Sequence, residues 1–402
     1  MKILLVLDQF FDPNNGFTIS ARRYAKTLQD RGNQVRIVSA GHPSPEEKDM
    51  SYVMDKLTVP FFDGLITSQG MTFAKPDDDV LRKAISWADV VHFVSPFALS
   101  HHGIMICREL GVPFTGAFHV QPENITSSIN MNRAKAVNDG IYHWFHHYIY
   151  RYCEHIHCPS NFIAEELRQA GYTEKLHVIS NGIDPDFIGH RPHPEQTDGT
   201  FNILSVGRYS VEKRQDVTIR AVARSKYRDR ISLTLAGKGP KEKYLRDLAK
   251  SLSVPVKMEF LPKERLIQAI SRCDLYVHAA DMEIEAMSCM EAFACGRVPV
   301  IADSAKSATP QFALDERSLF TAGDSEDLAK KIDYWYENTQ QRLEAEQNYA
   351  LLGSKYDLRN CVAQAEEMFR QAIEDFNGQK TDNKKCTVPV AENETLTEAA
   401  EV

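Results

Sequence analysis

Residues 283–301 read EIEAMSCMEAFACGRVPVI, with two glutamates, Glu283 and Glu291, eight positions apart. A turn-like segment opens the stretch. A helix is expected from about Ser288 to Gly296, with Pro299 beyond its stop. The run Val298–Ile301 then has the apolar character of a buried strand. Loop, helix and strand in that order form one unit of a parallel α/β sheet. Two readings of Glu291 are open. In one, Ser288 and Glu291 make a capping box worth about 1 kcal/mol. In the other, the helix start faces a cleft, its free N–H groups attract a phosphate, and Glu291 accepts hydrogen bonds from a ribose diol. Eight helical residues span about 12 Å. A loop carrying Glu283 can therefore let the two carboxylates hold the two ends of one nucleotide sugar.

The same alternation fills the chain. Strand-like runs fall at 2–8, 34–40, 90–95, 113–118, 155–159 and 176–180, and again at 201–207, 231–237, 256–261, 275–280 and 298–302. Helical patterns lie between them, at 17–30, 161–170, 213–226 and 240–252 among others. Near-continuous apolar strands separated by helices predict parallel sheets covered on both faces. Two series predict two Rossmann-like, doubly wound domains, residues 1–184 and 185–355, facing across a cleft. The break falls in NGIDPDFIGHRPHPEQTDGTF, residues 181–201, rich in turn formers. A final helix over 356–377 has apolar residues at steps of three and four (Val362, Ala365, Met368, Phe369, Ala372, Ile373, Phe376) and should pack back toward the N-terminal domain. The polar tail 378–402 is expected to be disordered.

Composition excludes several classes. The net charge is −8, and residues 1–184 hold 17 Lys and Arg against 20 Asp and Glu, so no basic nucleic-acid surface is expected. The eight cysteines form no CxxC pair, which points to reduced core thiols, a cytoplasmic setting and no zinc site. MKILLVLDQF is apolar only briefly and reads as a first strand, and no run is long enough to span a membrane.

Four further stretches carry chemistry. SVGRYSVEKRQD (205–216) follows a strand and places Arg208 and Lys213 where they can grip a diphosphate and stabilise charge growing on a leaving nucleotide. With two such cations no metal ion is required. LAGKGP (235–240) supplies Gly237 and Gly239 in a turn after a strand. DQFFDPNNGF (8–17) puts Asn15 and Gly16 just before a helix. FTGAFHVQPEN (114–124) puts His119 past a strand, with Glu123 and Asn124 as further polar groups on the acceptor side.

Together these marks resemble retaining glycosyltransferases of family four. The family's signature is a glutamate, a Gly-Phe-Gly loop, a second glutamate, then Ala-x-Ala-Cys-Gly-x-Pro-Val. Here Glu291-Ala-Phe-Ala-Cys-Gly-Arg-Val-Pro-Val keeps the second half, and Ile284, Glu285 and Ala286 replace the loop. Arg208 and Lys213 match a Gly-Arg-x4-Lys element. CPSNF (158–162) and ISNGID (179–184) match Pro-Ser and Asn-Gly-x-Asp elements. Asn181, Gly182 and Asp184 fit either a hinge role or plain turn chemistry. The resemblance implies a GT-B fold and transfer with retention of anomeric configuration. The donor would meet Gly16, Arg208, Lys213, Gly237, Gly239, Glu283 and Glu291, and His119 would bind or polarise the donor sugar. No cofactor is implied beyond the nucleotide-sugar co-substrate.

FHVQPENIT and the 283–314 region also resemble the bacterial branch that glucosylates diacylglycerol. That resemblance implies glucose transfer from UDP-glucose to a lipid hydroxyl. Residues 126–153 combine aromatics (Trp144, Phe145, Tyr148, Tyr152) with basic groups, which suits either a helix packed on its own sheet or one lying on an anionic membrane. Arg22, Arg23 and Lys26 can add to such a contact on the inner face of the cell membrane. Alternatives are a transferase for a soluble or polysaccharide acceptor, a GT-B nucleotide-sugar epimerase, and a nucleotide-sugar binder without turnover.

Overall fold

The structure, a computed structural model, describes residues 1–11, 16–58, 72–127, 134–189 and 199–385. Two all-parallel sheets organise it. The N-terminal sheet holds β1 (Lys2–Gln9), β2 (Gln34–Ala40), β3 (Ser51–Met54), β6 (Val90–Phe93), β7 (Phe114–Ala117), β8 (His155–Cys158) and β9 (Lys175–Val178). Their spatial order is β3-β2-β1-β6-β7-β8-β9. A short antiparallel pair, β4 (Lys56–Leu57) and β5 (Phe73–Ala74), forms a separate ladder that meets it where Ala74 N donates to Asp8 Oδ1 at 3.0 Å. The C-terminal sheet holds β10 (Phe201–Val206), β11 (Ile231–Ala236), β12 (Val256–Glu259), β13 (Leu275–His278), β14 (Pro299–Asp303) and β15 (Leu319–Thr321), ordered β12-β11-β10-β13-β14-β15.

Apolar side chains on both faces of the central strands explain this layering. Ile3, Leu4, Leu5 and Val6 are all buried, as are Ile203, Leu204, Leu275, Tyr276 and Val277. Only a sheet covered by helices on both sides accommodates such runs. In each sheet the order reverses beside the first strand, at β1/β6 and at β10/β13. Ligand crevices of open parallel sheets lie at such reversals, beyond the strands' carboxyl ends. The strands expected from sequence recur within one or two residues. Those not foreseen are β3, β15 and the β4–β5 pair, all two to four residues long.

The chain crosses between the sheets twice at one place. Ile183 and Asp357 pair in a parallel bridge, so the outgoing and returning segments run side by side. Gly182 permits this approach: its φ is +79°, and a Cβ there would lie 2.6 Å from Leu358 Cα. The last helix, Leu358–Lys385, then packs Leu358, Val362, Ala365, Met368 and Phe369 into a cluster with Ile3, Leu5, Tyr24 and Leu28. It runs eight residues past the expected stop at 377. Residues 386–402 lie outside the described residues.

Seven cysteines are buried, and among the described residues none forms a disulfide. No helix among the described residues is long and apolar enough to cross a membrane.

A polar network is sealed inside the C-terminal half. Arg297 and Glu346 are fully buried, and Arg297 Nη1 lies 3.1 Å from Glu346 Oε2. Arg342 Nη1 reaches Glu346 Oε1 at 3.2 Å, and its Nη2 reaches Asp274 Oδ1 at 3.3 Å. Replacing Glu346 with Ala strands two buried guanidinium groups, which costs about 3–5 kcal/mol. Urea unfolding of E346A should show that loss, and a loss under about 1 kcal/mol would mean water reaches the network.

Candidate active site

A cleft of about 1090 Å³ separates the two sheets. Its walls come from the carboxyl ends of β1, β6, β7, β8, β10 and β11 and from the loops that follow them, so residues far apart in sequence face one another. Arg208, Lys213, His119, Glu283 and Glu291 all line it, as do Gly237 and Gly239.

Glu283 sits in the loop after β13. Its Oε1 receives the Lys213 ammonium and lies 3.1 Å from His278 Nε2. Burial alone would raise its pKa, but Lys213 and His278 outweigh that and hold the carboxyl down to about 2. The group is therefore an anion at any working pH. The loop is fastened on every side. Ala308 N donates to Glu283 O (2.8 Å), Asp281 N donates to Glu212 O (2.8 Å), and Ser160 Oγ, from the other half of the molecule, donates to Ile284 O (2.7 Å).

The replaced glycine loop has its own construction. Glu285 is buried and accepts from the backbone N–H of Asn181 (3.1 Å) and from Asn181 Nδ2 (2.7 Å). Burial pushes it up to about 7, although Ser180 and Asn181 donate to it. Glu285 thus ties the loop to the crossing segment at Asn181, which also lines the cleft. Ala286 has φ +64°, the left-handed region that favours glycine, and it occupies a glycine position of the resembled motif.

The helix Met287–Ala294 follows, and the capping-box reading of Ser288 and Glu291 does not hold. Ala286 is the N-cap and offers no side-chain bond, while Ser288 Oγ donates to Val206 O at 3.2 Å. Glu291 points across the cleft, with its Oε1 3.4 Å from Arg23 Nη1 on the first helix, Gly16–Asp30. Burial pushes Glu291 up to about 7 against the pull of Arg23. Asp184 takes Arg23 Nε at 3.3 Å and Lys263 at 2.6 Å, and Lys263 also reaches Asp186 at 2.6 Å.

The two glycines of LAGKGP shape the site from behind. A Cβ at Gly237 would stand 2.0 Å from Gly207 O, and one at Gly239 would stand 2.4 Å from Tyr209 O. Their lack of a side chain lets the 237–240 turn lie directly on the 207–209 turn, from which Arg208 lines the cleft. At the mouth, Phe260 is 58% exposed with Lys238 Nζ 4.9 Å from its ring centre.

His119 shares the cleft wall with His157 and His92. The His119 and His157 rings are 5.1 Å apart, and His92 and His157 are 5.9 Å apart. Burial and the neighbouring His157 push His119 well below the ordinary range, so it is neutral.

Other expectations move. Glu123 is buried outside the cleft lining, where burial and its carboxylate push the Tyr142 phenol up. Gln121, nearby, donates to Lys306 O at 3.3 Å and so ties the two halves. Asn124 falls in the short helix Pro122–Ser127. Gly16 opens the first helix, and Asn15 lies outside the described residues. Arg23 belongs to the cleft. Arg22 pairs with Glu47 at 2.5 Å, and Lys26 pairs with Asp30 at 2.7 Å. The aromatic helix spans Lys135–Tyr148 and buries Tyr142 and Phe145, while Trp144 stays 50% exposed. Arg23, expected from sequence as a membrane contact, instead faces Glu291 in the cleft. Lys263 and Phe260 were not singled out from sequence, because nothing local distinguishes them from other surface residues.

With that geometry in view, comparison with known proteins is direct. The Glycosyltransferase Family 4 model matches residues 14–187, and the Glycosyl transferases group 1 model matches residues 190–350. Between them they take in every strand of both sheets but β1, and the chain belongs to the family-four, GT-B glycosyltransferases. An alpha-monoglucosyldiacylglycerol synthase of Streptococcus pneumoniae is 24% identical, over 75% of this chain and 71% of that protein. A GDP-mannose-dependent alpha-mannosyltransferase of Corynebacterium glutamicum is 24% identical, over 75% and 72%. Among solved structures, Anabaena HepE in complex with UDP and glucose shares the fold, with TM-score 0.70 and 18% identity over 92% of this chain and all of that one. The catalytic domain of a cholesterol-alpha-glucosyltransferase from Helicobacter pylori is 50% identical over 39% of this chain and 98% of that domain, with TM-score 0.38.

Two stability measurements test the loop. Ala286→Gly relieves a left-handed alanine and should gain up to about 1 kcal/mol; a clear loss in thermal unfolding would show that the methyl packs usefully. Glu285 is raised in the folded state, from an ordinary 4.5 to about 7. Its contribution is therefore present below pH 4.5 and lost as pH rises through 7. Glu285→Gln should flatten the stability–pH curve in that window, and an unchanged slope would place the proton elsewhere.

Proposed function

We propose that this protein is a retaining, metal-independent hexosyltransferase that moves glucose from UDP-glucose to the hydroxyl of a membrane lipid, with diacylglycerol as the first candidate acceptor. The observation that carries the transfer chemistry is the convergence of Lys213, Arg208 and Glu283 in one cleft beside a helix start. The likeness to the diacylglycerol-lipid synthase supports the sugar and the acceptor. The likeness to GDP-mannose-dependent enzymes supports a second donor reading, mannose from GDP-mannose.

In this reading the bond from C1 of the sugar to the diphosphate oxygen breaks while the acceptor oxygen bonds C1 from the same face. The acceptor proton passes to the departing phosphate oxygen. Arg208 and Lys213 stabilise the growing charge, the task a metal ion performs in other sites. Glu283, ionised and held by Lys213 and His278, accepts hydrogen bonds from the sugar hydroxyls. Neutral His119 hydrogen-bonds the sugar without adding charge. Glu291 takes the ribose diol. Trp144 and Val137, exposed on a helix that also carries Lys135, supply a surface for peripheral contact with an anionic membrane.

The experiment is a transfer assay crossing UDP-glucose and GDP-mannose with diacylglycerol, a free sterol and a soluble glucoside, with and without EDTA. Glucosyl-diacylglycerol with an α linkage, formed equally in EDTA, is the expected outcome. Transfer only to the soluble glucoside would overturn the lipid acceptor, and a β linkage would overturn retention. Arg208→Ala, Lys213→Ala and Glu283→Ala should each lower turnover by roughly 10²-fold or more. Near-normal turnover in any of them removes that residue from the chemistry.

A further inference from the structure

We propose that Arg23 is a positioning residue for the donor nucleotide, making the grip of Glu291 on a ribose diol depend on closure of the two halves. The inference rests on the donor reading above and adds to it a residue from the opposite domain.

The geometry is specific. On the first helix, Phe17, Ser20 and Tyr24 line the cleft together with Arg23, as helical spacing requires. Arg23 spans two partners. Its Nη1 lies 3.4 Å from Glu291 Oε1, and its Nε lies 3.3 Å from Asp184 Oδ2 in the crossing segment. Lys263, at the start of the helix Lys263–Arg272, holds Asp184 from the other side at 2.6 Å. The charged groups facing Glu291 are therefore Arg23 from the first helix, Asp184 from the crossing and Lys263 from the C-terminal half. Asp184 opposes ionisation of Glu291, and the two cations favour it. Of the two cations, only Arg23 belongs to the N-terminal domain.

That arrangement has a thermodynamic consequence. A carboxylate accepts from both hydroxyls of a diol, whereas a protonated carboxyl has lost part of that capacity. Burial favours the protonated form of Glu291, and the nearby guanidinium reverses part of that preference. With the halves apart, Arg23 leaves and Glu291 is more readily protonated. With the halves together, the anion is favoured and so is the ribose. Reciprocity then requires that a bound nucleotide favour the closed arrangement. Closure and donor binding are linked through one ion pair, without any contact between Arg23 and the donor.

Calorimetric titration of the full chain with UDP, and with GDP in parallel, from pH 6 to pH 8.5 tests this. Arg23→Met should weaken nucleotide binding about tenfold near pH 7 and move the midpoint of the affinity–pH curve upward. Arg23→Lys should restore most of both. In a Glu291→Gln background, Arg23→Met should have little further effect, a readout that depends on folded protein in every arm and that loss of a surface tie would not reproduce. Unchanged affinity and midpoint in Arg23→Met, or tighter binding, overturns the proposal while leaving the donor reading intact. Failure of the unsubstituted protein to bind either nucleotide overturns the donor reading and this inference with it.

Discussion

A carboxylate buried between two domains stays charged only if a cation or hydrogen-bond donors reach it, and Glu283 has the Lys213 ammonium and the His278 ring within contact. The rest of the cleft is arranged around that requirement. Lys213 comes from the turn after β10, Glu283 from the loop after β13, and His278 from the end of β13 itself. These two strands are neighbours because the sheet order reverses there, so the reversal brings the opposite charges together. A different strand order would take Lys213 away from Glu283, and burial would then push its pKa upward, the direction seen for Glu285 and Glu291.

The three acidic groups of the 283–291 stretch thus have three states imposed by three environments. Glu283 is held ionised by a lysine and a histidine of its own domain. Glu285 is pushed up by burial and is satisfied by N–H groups of the crossing segment. Glu291 is pushed up by burial and partly drawn back by Arg23 across the cleft. Only the first is independent of how the two halves sit. The other two make contacts with the crossing segment or the N-terminal half, so their pKa values depend on groups outside the loop-and-helix unit. The ties Ser160–Ile284 and Gln121–Lys306 run between the same bodies.

Much of this was legible in the sequence. Apolar runs of a few residues, bounded by turn formers, located nearly every central strand, because a strand buried on both faces has no polar alternation to blur it. β3 and β15 were missed because they lie at sheet edges, are short, and mix exposed with buried residues. The Ser288–Glu291 capping box was a sound local pattern that lost to a longer-range one. Ser288 is held by Val206 O instead, and the left-handed Ala286 begins the helix in its place. Glu123 followed a strand toward the cleft in sequence yet is buried outside it, near enough to Tyr142 for its charge to push that phenol up.

By itself, the sequence determined two parallel sheets, the turn that carries Arg208 and Lys213, and the pair of glutamates flanking a helix start. Each follows from periodicity or from chemistry within a few neighbouring residues. Tertiary structure alone decided which partner each charge takes. Arg23 meets Glu291 across 268 positions of chain, and Asn181 meets Glu285 across 104. No local preference encodes such pairs. They arise because two separately folded sheets turn their carboxyl ends toward the same space, and charges buried there must be matched by whatever groups the opposite wall supplies.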